Sequence, residues 1–134
     1  MKEDYISLEI AKLLKEKGFD EPCDFLYDEG ELKWFFHLFI CTGILTNSEL
    51  SDEIISAPTL QMAMKYLREK HNIIITLDYD EYELADSDEK QVGYGFNIQM
   101  ADKPTEIFEI SNCVFDTYEE SCEAAILECL TNLI

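Results

Sequence analysis

Three runs between Ile73 and Phe115 decide the fold: IIITLDYDEY at residues 73–82, VGYGFNIQM at 92–100 and IFEISNCVF at 107–115. Each is strand-length and rich in β-branched and aromatic residues. The first begins apolar and then sets Leu77, Tyr79 and Tyr82 against Asp78, Asp80 and Glu81. The second places Tyr94, Phe96, Ile98 and Met100 on one face and Gly93 and Gly95 on the other. Paired glycines inside a strand predict a bulge or the close approach of another element. Ala85 to Lys90 and Asp102-Lys103-Pro104 are polar connections. They are short, so the three strands form an antiparallel meander.

Helices flank this core on both sides. Downstream, Asp116 or Thr117 caps a last helix, with Glu119 or Glu120 completing a capping box. Cys122, Ala125, Ile126, Cys129, Leu130 and Leu133 follow helical spacing on its apolar face. Upstream, Ala57-Pro58 holds the chain extended and Thr59 caps a helix that ends at His71-Asn72. Leu60, Ala63, Met64 and Leu67 make its buried stripe, and Lys65, Arg68 and Lys70 suit its C-terminal end. A first helix spans about residues 5–17, with Ser7 as a cap and Ile10, Ala11 and Leu14 on one face. Gly18 and Phe19 predict a Schellman ending that packs Phe19 back on Leu14.

Between the first two helices, Asp24 to Tyr27 and Leu32 to Ile40 predict two strands joined by Asp28-Glu29-Gly30. The second has two apolar faces, Leu32, Trp34, Phe36, Leu38 and Ile40 against Phe35, His37 and Phe39. That pattern suits a strand covered on both sides, or one sealed by a partner chain. Thr42 to Ser56 is an irregular connection. The expected architecture is a single α+β domain over residues 1–134. Three helices pack on a mostly antiparallel sheet of about five strands, in the order α-β-β-α-β-β-β-α.

Charge narrows the function. The 134 residues carry 29 acids and 10 bases, a formal charge of -19. Residues 1–72 hold 14 acids and 8 bases, residues 73–134 hold 15 and 2, so the excess sits in the second half. Such a chain repels phosphate backbones and anionic membrane surfaces, which excludes direct nucleic-acid binding and membrane binding. The longest apolar run, Trp34 to Leu45, is shorter than the 20 or so residues that span a bilayer. Five cysteines (23, 41, 113, 122, 129), no C-x-x-C pair and no basic-then-apolar leader predict free thiols in a reducing cytoplasm.

No catalytic, cofactor-binding or metal-binding residue emerges. Cys113, Cys122 and Cys129 lie among apolar residues and belong to the core rather than to a zinc site. The run Asp78 to Glu83 lacks the glycine and the later glutamate of a calcium loop, and its alternation with tyrosine fits a solvated strand face. His37 and Cys41 share a nominal strand face but stand roughly 13 Å apart at about 3.3 Å per residue, too far for a base–thiolate pair. His71 belongs to a helix end. Gly93-Tyr94-Gly95 lacks the third glycine and the helix of a dinucleotide fingerprint.

At Ala57-Pro58-Thr59 and Met64 to His71 the chain resembles a group of small uncharacterised proteins of phages and mobile elements in Bacteroides-type gut bacteria. Those proteins carry a Lys-Gly-Phe-Asp-Glu-Pro-Cys segment, here Lys17 to Cys23, and an Asn-Ser step, here Asn47-Ser48. They also carry a Thr-Tyr-Glu-Glu helix start, here Thr117 to Glu120. The likeness spans most of the chain and is poorest at residues 35–46. It implies no activity and assigns no site residue. It implies a phage or mobile-element accessory protein in a bacterial cytoplasm. Without catalytic motifs, and with a two-sided apolar strand, the expected mode of action is protein–protein contact or self-association. The alternative is an inhibitor whose acids, densest at Asp78 to Glu89, mimic nucleic acid before a host defence or DNA-processing protein.

Overall fold

The computed structural model of the chain describes residues 4–35, 44–83, 89–111 and 114–134. Among these are three α-helices and six strands, and every strand pairing is antiparallel. The α+β class is as expected. The expected single sheet is instead two three-stranded sheets.

Helix α1 (Leu8–Glu16) begins three residues later than the apolar spacing predicts. Ser7 is extended and its hydroxyl accepts from the Ile10 N–H, so the helix cannot start earlier. The residues before it join the N-terminus of the next helix instead. Tyr5 bridges Thr59, and the Ile6 N–H donates to the Pro58 carbonyl at 3.1 Å. The C-terminal end is the predicted Schellman motif. Gly18 has φ of 92°, its N–H donates to the Lys15 carbonyl, and the Phe19 N–H donates to the Leu14 carbonyl.

The first sheet has the order β2-β1-β3, from β1 (Phe25–Asp28), β2 (Glu31–Trp34) and β3 (Ile54–Ser56). Glu29 and Gly30 both have positive φ, 53° and 77°, as a two-residue hairpin loop between twisted strands requires. Two expectations are corrected here. The second strand ends at Trp34 rather than Ile40; Phe35 is buried, its N–H donating to the Asp24 carbonyl, and Phe36 to Ile40 lie outside the described residues. The connection ahead of Ala57 is not wholly irregular, because β3 pairs with β1 there.

Helix α2 (Leu60–His71) is capped by Thr59, whose hydroxyl accepts from the Met62 N–H at 3.2 Å. Asn72 takes the left-handed conformation at its end, φ 57° and ψ 31°, and turns the chain directly into the second sheet. That sheet is the predicted meander, ordered β4-β5-β6, from β4 (Ile73–Glu83), β5 (Lys90–Met100) and β6 (Lys103–Ile110). Strand β6 starts four residues before the expected Ile107 and stops at Ile110. Met100 already faces Lys103 across a two-residue loop, and register shifts at Ile98–Met100 absorb the excess length. Those shifts, and not Gly93 or Gly95, mark the irregularity in β5. Both glycines are buried within a regular ladder. Pro104 lacks an N–H, and β6 is an edge strand among the described residues, where that loss is tolerated.

Helix α3 (Tyr118–Glu128) is capped by Thr117 and continues as a π-helical turn, Cys129–Leu133. It packs on β4 and β5 and against α1 and α2, while α2 covers β4 and α1 meets β3. One apolar core joins these parts, running from Ile10 and Leu14 through Leu67, Ile73 and Ile98 to Ile126.

Candidate interaction surface

The second sheet places the acidic run. Its β4–β5 ladder is continuous, so side chains alternate strictly along β4. Ile73, Ile75 and Leu77 pack into the core. Asp78 and Asp80 fall on the opposite face and Glu81 on the core-side face, so the run is divided between two faces. The Asn97 amide donates to Asp78 Oδ2. Beyond the cover of the helices the core-side face continues as an aromatic row. Tyr79 meets Tyr94 at 4.8 Å between ring centroids, and Tyr94 meets Tyr118 edge-on at 6.2 Å. Gly93-Tyr94-Gly95 thus lies within a strand.

Large apolar side chains are exposed on this half of the molecule. They are Tyr79 on β4, Val92 on β5, Ile107 and Ile110 on β6, and Val114. Ile107 is 50% exposed and Ile110 58%. Ile107 faces Gln99 and Ile110 faces Asn97, which puts both isoleucines on the side of the sheet away from α1, α2 and α3. On the first sheet Leu32 and Trp34 are partly exposed, at 39% and 45%, whereas Phe35 is buried and is removed from any contact face.

The thiols are structural where they are described. Cys23, Cys122 and Cys129 are free and buried. Burial, and then neighbouring carboxylates, push each of their pKa values up to about 12. Cys122 Sγ lies 3.5 Å from Met64 Sδ. Cys41, Cys113 and His37 lie outside the described residues. His71 sits at the end of α2, its Nε2 3.2 Å from the Tyr66 hydroxyl. Among the described residues no group of three metal-ligating side chains occurs. With Cys41 and Cys113 replaced by serine, the native protein should resist a chromogenic disulfide reagent at neutral pH. It should release three thiols on unfolding in denaturant. Rapid labelling of the native protein would refute the buried-thiol assignment.

A groove of about 310 Å³ runs between α1 and α3. Ile10, Phe115 and Leu127 line its apolar part, and Glu9, Glu120 and Glu123 its polar part; among the described residues no lysine or arginine lines it. Glu123 is half-buried and accepts from the Ser7 N–H at 2.9 Å. It thereby satisfies an N-cap N–H that a capping box would satisfy locally, since Ile10 occupies the box position in α1. Burial raises the Glu123 pKa, the Ser7 hydrogen bond opposes that, and Glu9 adds to it. A carboxyl with a raised pKa holds its proton more tightly when folded. Its contribution to stability is present below the ordinary value of 4.5 and is lost as pH rises through the folded value. Glu123→Gln keeps the acceptor and removes the charge. Its stability relative to wild type should therefore grow from about pH 4 to about pH 7.5, by less than about 1 kcal/mol for a group only half-buried. Urea midpoints at the two pH values decide it, and a gap that shrinks with pH contradicts the burial argument.

The segment before β3 is tied down by three residues that the sequence patterns do not single out for this role. Asn47 is buried: its amide donates to the Phe19 carbonyl, and its side-chain oxygen accepts from the Ser56 N–H, both at 2.9 Å. Asp20 accepts from the Ser48 N–H and hydroxyl, which hold its pKa below the usual carboxylate value. Lys15 Nζ donates to the carbonyls of Ser51 and Ile54.

No family model, curated protein or solved structure matches the chain. No helix among the described residues is long and apolar enough to cross a membrane.

Proposed function

We propose that the chain is a non-catalytic accessory protein that acts by protein–protein contact. The reading rests on the exposed Ile107 and Ile110 of β6, which lie on the side of the second sheet away from α1, α2 and α3. An exposed apolar pair on a chain of net charge -19 suits a contact surface: the apolar part supplies affinity and the charge selects the partner. Edge strands that carry such residues also offer their backbone to an incoming strand. The resemblance to phage and mobile-element proteins makes a bacterial cytoplasm the setting. Nucleic-acid mimicry draws less support, because mimicry needs a row of carboxylates on one surface and the acids of β4 are divided between two faces.

The test is capture of partners from a bacterial lysate by wild type and by an Ile107→Ser/Ile110→Ser variant, at low and high salt. A contact of this kind retains a defined protein at high salt and loses it in the variant. Binding that disappears with salt in both proteins points to mimicry instead. A capture pattern identical in the two proteins at every salt concentration sinks the reading.

A further inference from the structure

We propose that the groove between α1 and α3 receives an arginine side chain from a basic protein partner. This goes beyond the sheet-face reading and shares with it only the premise that the chain binds proteins. The groove has the two parts an arginine needs. Phe115, Ala124 and Leu127 offer apolar surface to the aliphatic stem. Glu9, Glu120 and Glu123 offer carboxylates to the guanidinium. Glu9 lies close enough to Glu123 to disfavour its ionised form, and an entering cation relieves that repulsion. Among the described residues no lysine or arginine lines the groove to do so already.

Arginine fits better than lysine because its planar head bridges two carboxylates and gives up its hydration more readily. The protein field, from a net charge of -19, draws basic partners toward this surface. A second copy of the chain is a poor occupant. Arg68 is its only arginine, and two bodies of like charge repel.

Titration of the isotope-labelled protein with an acetylated and amidated Leu-Arg-Leu peptide, followed by amide chemical shifts, tests this directly. Saturable shifts centred on Ile10, Glu123 and Leu127 are expected. Glu9→Gln/Glu120→Gln, at two exposed positions, should weaken binding about threefold to tenfold. Asp80→Asn/Glu81→Gln removes the same charge from β4 and should leave the affinity unchanged. The same peptide with citrulline, which is neutral, should fail to bind. Three results overturn the proposal: equal binding of the citrulline peptide, equal weakening by the β4 variant, or shifts that never saturate at the groove. Concentration-dependent sedimentation of the wild type that vanishes in Glu9→Gln/Glu120→Gln also overturns it, in favour of a second copy. Ile107 and Ile110 take no part in this experiment, so its failure leaves the sheet-face reading standing, and failure of the lysate test leaves this one standing.

Discussion

Phe19→Ala should destabilise the protein by about 3–5 kcal/mol, the range for truncating a fully buried phenylalanine. Phe19 is 1% exposed and meets Tyr66 edge-on at 5.0 Å between ring centroids. Truncation leaves a cavity between the end of α1 and the flank of α2. It also loosens the packing beneath a chain reversal whose backbone bonds alanine retains: the Phe19 N–H closes the Schellman motif and its carbonyl receives the Asn47 amide. Tyr66 cannot swing in to fill the space without losing its hydroxyl contact to the Lys17 carbonyl, 3.2 Å away. Domains are stable by only about 5–15 kcal/mol, so the loss takes a large share of the total. Urea denaturation should show a lower midpoint with an unchanged slope. A loss under about 1.5 kcal/mol would mean that the core closes over the gap more readily than close-packed interiors do.

Asn47→Ala should cost about 2–4 kcal/mol, from two buried backbone groups left without partners at about 1–3 kcal/mol each, less what water recovers. The groups are the Phe19 carbonyl and the Ser56 N–H. Asparagine alone among similar-sized side chains offers a donor and an acceptor from one planar group, as both partners require. Asn47→Asp separates the two halves of the interaction. It keeps the acceptor for Ser56, loses the donor to Phe19 and buries a charge. That variant should be as unstable as Asn47→Ala at neutral pH and should recover as pH falls, when the protonated carboxyl donates again. Midpoints of the three proteins across pH provide the check. Two substitutions with losses below about 0.5 kcal/mol would show that β3 is held by its pairing with β1 alone.

These two side chains mark the limit of what local patterns reveal. Phe19 was legible, because a glycine followed by an apolar residue at the end of an apolar-periodic stretch specifies a helix ending and its packing residue. Asn47 was legible only as part of a resemblance. Its role depends on Phe19 and Ser56 arriving at one place, and no spacing in the chain announces that. The groove follows the same logic. Glu123 reads as an acid in the first turns of a helix, whereas its partner Ser7 is 116 residues away.

The three helices, their caps and the antiparallel meander follow from the amino-acid order alone, because caps, turns and apolar periodicity act over four or five residues. So does the acidity, which is a sum over side chains. The split into two sheets, the short β3, the shifted β6 and the exposure of Ile107 and Ile110 are tertiary decisions. Strand pairing and burial depend on which distant segments meet, and the free energy of that meeting is written in shapes and partners rather than in neighbouring residues.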